Sequence, residues 1–229
     1  MNASMIYQGA AWIIPLVIAI VFHEVAHGRV ARYYGDTTAL ERGRLSFNPI
    51  RHVDPIGTVI LPLILAVSGA PVFGWAKGVP VDASRMDNPR WNMVAVALAG
   101  PAMNIALMIA AAGLISILKL TVGIDGDGAV MGFVLTNLMN FMAINLFLAC
   151  FNLLPIPPFD GSKVLAGILP PTLGDRFRQL DRMGMLFAVA VLVIIPSIFP
   201  SFNLVGRVIG APVIWMLTHI GAAIGVPFA

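Results

Sequence analysis

The chain has 229 residues, of which 59% are hydrophobic and only 11% charged, and its mean hydropathy is +0.89. These values lie far outside the averages of soluble domains, so the composition indicates a membrane protein with several apolar helices. The formal net charge is +3. The basic residues stand in separate loops between apolar runs. This pattern is typical of residues that orient a chain in a bilayer and does not indicate nucleic-acid binding. A single cysteine, Cys150, excludes an internal disulfide framework.

Six apolar runs separated by short polar segments define the predicted architecture. They cover residues 10–34, 56–70, 92–120, 129–155, 184–200 and 204–224. We therefore predict an all-α polytopic membrane protein with about five to six transmembrane helices and a short membrane-associated hairpin or re-entrant segment after the first. No interval has room for an appended domain of ordinary size. The expected organisation is one membrane-embedded domain over 1–229, with a core at 10–167 and a C-terminal helical pair at 184–224.

The first run contains the motif His23-Glu24-Val25-Ala26-His27. In a helix, His23 and His27 lie one turn apart on one face, where both imidazoles can bind one metal ion. Glu24 projects about 100° further round the helix, so it can reach a water at the metal without being a ligand. The motif predicts a zinc hydrolase. The alternative, two interior histidines satisfied by hydrogen bonds, places costly ionisable groups in a membrane helix without a role.

The motif stands near the far end of its run. His27 comes about 17 residues after the start, and at ~1.5 Å per residue this is ~25 Å of a ~30 Å hydrocarbon layer. An arginine-rich loop follows, which is typical of the cytoplasmic side. Its basic residues are Arg29, Arg32, Arg42, Arg44 and Arg51. We expect the site to lie near the cytoplasmic face of the cell membrane.

Two irregular segments come next. The loop 36–54 contains turn-forming residues, and residues 44–47 alternate between polar and apolar, which favours a short hairpin against the membrane. The run 56–70 has about 15 residues and contains Pro62. It is too short and irregular for a full crossing, so we predict a re-entrant or interfacial segment.

The third and fourth apolar runs contain helix-breaking glycine and proline residues at positions where a transmembrane helix would be expected to continue. Gly100-Pro101 weakens the third helix in mid-membrane, so this helix should be buried among others, with Asn104 pointing inward. The fourth run ends in Asn152-Leu153-Leu154-Pro155-Ile156-Pro157-Pro158-Phe159-Asp160-Gly161. Its prolines leave carbonyl groups without partners, which is tolerable where that backbone lines a protein cavity.

A catalytic zinc of this kind requires a third protein ligand and an open position. The other glutamate, Glu41, stands in the basic loop, and neither His52 nor His219 has the spacing of the longer HExxHxxGxxH motif. Most aspartates stand in polar loops where solvation is the default. Asp160 instead follows a proline-broken helix end at about the depth of the histidines, so it is the predicted third ligand.

This ligand set also constrains the topology. His27 and Asp160 both lie toward the C-terminal ends of their runs, so these two runs must cross the membrane in the same direction. One of the two intervening runs must then fail to cross, and 56–70 is the shorter. The resulting five-span arrangement also puts most basic residues on the cytoplasmic side, as the positive-inside rule expects.

Three motifs in order resemble the signatures of the site-2 protease family of intramembrane zinc metalloproteases. They are His23 to His27 (HExxH), Gly100 to Asn104 (GPxxN) and Asn152 to Gly161 (NxxPxxxxDG). The resemblance covers roughly residues 14–167 and looks like the short prokaryotic form without a PDZ or CBS domain. It implies Asp160 as the third zinc ligand, and it implies that Asn152 helps to hold the substrate or the oxyanion. The residues alone leave Asn152 open between that role and a helix cap.

The expected activity is hydrolysis of peptide bonds within transmembrane segments, with one Zn²⁺ per chain and Glu24 as the general base. Expected partners are transmembrane substrate proteins and the lipid bilayer, with no nucleic acid and an open oligomeric state. A metal-binding or transport protein is the first alternative, although a carrier needs no general base beside its ligands. An inactive scaffold homologue is the second.

Overall fold

The computed structural model describes residues 3–68, 74–122, 128–199 and 205–226, and every regular element in these ranges is helical. The predicted all-α fold is therefore confirmed. The α-helices are α1 (Ala3–Tyr33), α2 (Thr38–Glu41), α3 (Leu61–Ser68), α4 (Pro89–Val122), α5 (Ala129–Asn152), α6 (Asp160–Ile168), α7 (Pro171–Gln179), α8 (Gly184–Val189), α9 (Ile195–Ile198) and α10 (Ala211–Ile224).

Within the described residues, four helical stretches are long and apolar enough to cross a membrane. They are Tyr7–Tyr33, Pro89–Val122, Val130–Asn152 and Val205–Ile224. The predicted span 184–200 instead contains α8, a π-helical turn at Ala190–Ile194 and α9. The five-span topology stays a prediction.

The segment after the first long helix is helical and short. Pro55–Ile60 forms a π-helical turn that continues into α3. The Asp54 side chain caps this turn by accepting hydrogen bonds from the amides of Ile56 and Gly57. At ~1.5 Å per residue, the helical segment Pro55–Ser68 is much shorter than the ~30 Å thickness of a hydrocarbon layer. Its length fits the predicted re-entrant or interfacial segment.

The hairpin interpretation of 36–54 is wrong at the level of backbone structure. These residues form α2, turns and a 3₁₀ turn at Pro49–His52, with no strand among them. Asp36 is fully buried and accepts hydrogen bonds from the Thr38 amide, the Thr38 hydroxyl and the Asp82 amide. These bonds to a buried carboxylate fix the loop conformation, whereas the alternation of residues 44–47 is a weaker local preference.

The chain divides into two compact units. The first contains residues 1–19, 101–152 and 203–229. Its interior holds Asn104 and Asn145, both with no exposed surface, and the Asn104 amide donates to the Asn145 side-chain oxygen at 2.8 Å. Pro101 is also fully buried. The expected burial of this part of α4 is confirmed, since a buried amide requires a polar partner.

The second unit contains residues 20–100 and 153–202. A small apolar cluster of Ala31, Met86 and Val96 packs the end of α1 against the start of α4. Asp160, at the start of α6, lies in the same unit. The C-terminal end of α6 is held by Arg90, whose Nε donates to the Gly167 carbonyl at 2.7 Å and whose Nη2 donates to that of Leu169 at 2.5 Å. The last carbonyls of a helix lack partners within it, so this guanidinium serves as a C-terminal cap.

We predict that Arg90→Met lowers the free energy of unfolding by about 1.5–3 kcal/mol, the usual effect of losing hydrogen bonds to a charged group. The measurement is chemical denaturation of the purified protein in detergent. The matched control is Arg178→Met, because Arg178 forms an exposed pair with Asp175 that is worth at most about 1 kcal/mol. Equal losses in the two variants would contradict the capping role.

Candidate metal centre

Three predicted ligands meet in the second unit. The Asp160 Oδ2 atom lies 3.2 Å from His23 Nε2 and 3.1 Å from His27 Nε2, and the two imidazole nitrogens are 3.0 Å apart. All three residues are at least 92% buried. α1 supplies both histidines one turn apart, and α6 supplies the aspartate as its first residue. This is the cluster of possible metal ligands that the described part of the chain contains.

The donor set suits a cation. His27 Nδ1 lies 2.6 Å from the carbonyl oxygen of Val96, so this nitrogen carries the proton and Nε2 presents a lone pair. The two imidazole rings stand at 85° to each other. The lone pair on His27 Nε2 and the Asp160 Oδ2 atom therefore face the same small space as His23 Nε2. A metal ion in this space could be bound by all three atoms.

The spacing also fits zinc. Tetrahedral Zn²⁺ with ligand bonds of about 2.0–2.2 Å places neighbouring ligand atoms about 3.3–3.5 Å apart. The three observed separations, 3.0–3.2 Å, need to open by only a few tenths of an ångström. Two imidazoles and one carboxylate leave the fourth position open, as catalytic zinc sites require.

Two glycines make this approach possible. A Cβ atom added at Gly100 would lie 2.4 Å from His27 Nε2 and 2.5 Å from His23 Cε1. A Cβ atom at Gly161 would lie 2.2 Å from the Leu153 carbonyl oxygen. Gly100 thus lets α4 pass directly over the imidazoles, and Gly161 lets the turn before α6 fold closely enough to present Asp160.

The Asp160 carboxylate is ionised despite its burial. Desolvation alone would raise its pKa, but a hydrogen bond from His23 and the nearby positive charge of Lys163 hold the pKa of Asp160 well below its usual range. The Lys163 ammonium lies 3.0 Å from Oδ1, the oxygen that does not face the histidines. One carboxylate oxygen is thus oriented by Lys163 and the other is left for a metal.

Glu24 lies beside this cluster along the chain and has a different partner. Its Oε2 atom accepts a hydrogen bond from the Val79 backbone amide at 2.7 Å. It belongs to α1, next to His23, and is partly exposed. Glu24 is therefore in the same unit as the ligands but is not one of them, as the motif predicts.

Asn152 lies in the first unit, where it is the last residue of α5. Its side-chain nitrogen donates to the Leu148 carbonyl at 3.0 Å, a bond within its own helix. A role for Asn152 in holding substrate or oxyanion stays a prediction.

Sequence reasoning missed two supports of the cluster. The sequence analysis did not identify Lys163, although its position three residues after Asp160 on a helix is a signal for an ion pair. The Val96 carbonyl has no signature in the sequence, because every residue offers the same main-chain oxygen. The sequence analysis interprets Gly100 only as a residue that weakens the third helix. In the structure, Gly100 leaves room for the imidazoles, because a Cβ atom at this position would overlap them.

Comparison with known proteins finds a matching family model and several named relatives. A family model described as Peptidase family M50 matches residues 110–195. A Bacillus subtilis protein named "Putative zinc metalloprotease YwhC" is 33% identical to this chain over 190 residues, which are 79% of each chain. The chain belongs to peptidase family M50. This is the site-2 protease family that the three motifs resemble.

Other M50 relatives are more distant. A Mycolicibacterium smegmatis protein named "Putative zinc metalloprotease Rip2" is 29% identical over 186 residues, 80% of this chain and 65% of that protein. A Mycobacterium tuberculosis protein of the same name is 29% identical over 195 residues, 82% of this chain and 67% of that protein. No solved structure matches the chain.

We predict that Gly100→Ala lowers the zinc affinity of this M50 protein by about 10- to 100-fold, because the new methyl group displaces both imidazoles. Competition with a chromogenic chelator measures the affinity. The control is Gly113→Ala on the same helix, where a Cβ atom meets nothing within 4 Å. A Gly100→Ala protein that binds zinc like the control would contradict the close approach of α4.

We also predict that Lys163→Met weakens zinc binding by about 10-fold, since Asp160 loses the group that orients its second oxygen. Lys163→Arg keeps the charge and should restore most of the affinity. The same chelator competition checks both variants, and equal affinities for Met and Arg would show that Lys163 does not orient Asp160.

Proposed function

We propose that this protein is an intramembrane zinc metalloprotease that hydrolyses peptide bonds within transmembrane segments of other proteins. The observation that carries the proposal is the buried cluster of His23, His27 and Asp160 beside Glu24, in a membrane protein of the M50 family. The names of its relatives as zinc metalloproteases support the same activity.

One zinc ion per chain would be held by His23, His27 and Asp160. When bound, it supplies a Lewis acid that polarises the scissile carbonyl and lowers the pKa of a water in the open position. Val96 fixes the tautomer of His27, and Lys163 fixes the orientation of Asp160. These residues hold the ligands before the substrate arrives, so little reorganisation is required during the reaction.

Glu24 has the role of general base and then of general acid. Its carboxylate takes the proton from the attacking water at one oxygen and passes it to the leaving amine nitrogen when the peptide bond breaks. The other oxygen, Oε2, is engaged by the Val79 amide. Asn152 would contribute a side-chain amide to the substrate or to the developing oxyanion.

The expected substrates are helices of other membrane proteins within the lipid bilayer. A helix hides each peptide bond behind its own hydrogen bonds, so the substrate must unwind locally before attack. The arginine-rich segment that follows the histidines supports a location of the site near the cytoplasmic face of the cell membrane. In that arrangement the protease would act in regulated intramembrane proteolysis, which the family resemblance implies.

We predict that Glu24→Gln abolishes cleavage of a transmembrane model substrate in proteoliposomes, with a loss of at least about 100-fold, while one zinc per chain is retained. Gel analysis of the substrate measures cleavage, and metal analysis of the purified variant measures zinc. The zinc measurement is the internal control, since it shows that the ligand cluster is intact. Proteolysis at the wild-type rate by Glu24→Gln would contradict the mechanism, and zinc bound without proteolysis by the wild-type protein would favour a carrier or a scaffold.

A further inference from the structure

Residues 74–82 form a segment without regular secondary structure that passes Glu24, and the main-chain amides of alternate residues in it donate hydrogen bonds. The Trp75 amide donates to the Gly57 carbonyl at 3.1 Å, and the Lys77 amide donates to that of His52 at 2.9 Å. The Val79 amide donates to Glu24. In extended backbone, alternate residues direct their polar groups to the same side. The segment therefore delivers a main-chain N–H group to the catalytic carboxylate in a fixed register.

The residue that holds this register is Arg44. It is 92% buried, and its guanidinium donates to the carbonyl oxygens of Lys77 and, at 3.4 Å, Gly78. No carboxylate lies within ion-pairing distance of Arg44 in the described residues. A buried guanidinium without a counterion is costly, so its placement against two backbone carbonyls requires a reason.

One peptide group connects Arg44 to Glu24. The Gly78 carbonyl and the Val79 amide belong to the same peptide unit, so Arg44 contacts its oxygen while its N–H group donates to Glu24 Oε2. A positive charge at the carbonyl end polarises the unit and strengthens the bond that its N–H group makes.

His52 supports the same segment through its main-chain carbonyl. It is 97% buried, its Nε2 pairs with the Ser46 carbonyl at 2.8 Å, and its own carbonyl accepts from Lys77. Within the described chain, Arg44 Nε and His52 Nδ1 are the buried side-chain atoms that lack a hydrogen-bond partner. Both unsatisfied atoms thus belong to residues that hold the segment beside the general base.

We propose that Arg44 is a positioning residue for catalysis, which acts through residues 77–79 to fix the carboxylate of Glu24. The Val79 amide occupies one oxygen of Glu24 and leaves the other to take the proton from water. Arg44 and Val79 do not bind the metal, and they contribute to proton transfer only through the orientation of Glu24. This inference rests on the proposed role of Glu24 as general base.

The experiment removes each link and measures kcat, KM and zinc affinity separately. Val79→Pro deletes the N–H group that binds Glu24, and its matched control is Ala76→Pro, which deletes an amide with no acceptor among the described residues. Arg44→Met removes the guanidinium, and its control is the exposed Arg42→Met. Arg44→Lys tests rescue, because an ammonium can still donate to the Lys77 carbonyl.

We expect Val79→Pro and Arg44→Met to lower kcat by about 10- to 100-fold, a part of the usual contribution of a general base. KM and zinc affinity should stay within about threefold of the wild type, because the substrate and metal contacts remain. Arg44→Lys should recover at least part of kcat, and both control variants should keep it. A merely structural role would instead reduce the folded fraction or the zinc affinity.

Three results would overturn the inference. They are a wild-type kcat in Val79→Pro or in Arg44→Met, a loss in the Ala76→Pro or Arg42→Met control equal to that in its matched variant, and loss of zinc or of folded protein in Val79→Pro. The wild-type protein and Glu24→Gln are assayed in parallel. If the wild-type protein does not cleave the substrate, the proposed function fails. If the wild-type protein cleaves, Glu24→Gln does not cleave and Val79→Pro cleaves at the wild-type rate, only the positioning inference fails.

Discussion

The contact on which this structure depends is that of the Asp160 carboxylate with His23 and His27, because it places an ionised group where water is largely excluded. A buried carboxylate is tolerable only with close partners of opposite charge or with hydrogen-bond donors. The two imidazoles, the Lys163 ammonium and a metal ion are such partners. Every element that approaches the cluster has to leave room for them.

The surrounding sequence provides that room. Gly100 has no side chain at the point where α4 would otherwise occupy the space of the imidazoles, and Gly161 allows the turn before α6 to close against the Leu153 carbonyl. Arg90 holds the far end of α6, so the helix that begins with Asp160 is anchored at both ends. In the second unit, the buried His23, His27 and Asp160 form the ligand cluster, and the buried Arg44 and His52 hold the segment beside Glu24.

Much of the site could be predicted from the sequence because its composition is so restrictive. With two glutamates and four histidines in 229 residues, the HExxH motif stood out, and elimination among the remaining acidic residues led to Asp160. The structure brings these three residues together. The fold class followed from the length and apolar character of the runs.

The rest depended on tertiary contacts that have no local signature. The Val96 carbonyl and the Val79 amide are main-chain groups. Arg44 is one of several arginines in the same loop, and the number of these arginines predicts only the orientation of the chain in the membrane. Asp36 outweighed the local alternation of residues 44–47, because three hydrogen bonds to a buried carboxylate stabilise a loop more than pleat preference does.

Zinc K-edge X-ray absorption spectroscopy of the purified protein, with Asp160→Ala measured beside it, tests the ligand set of the metal centre directly. We expect one zinc per chain with two imidazole ligands and only oxygen as the remaining ligands, and we expect loss of an oxygen ligand with weaker binding in Asp160→Ala. A sulfur ligand, fewer than two imidazoles, or an unchanged zinc environment in Asp160→Ala would contradict this ligand set.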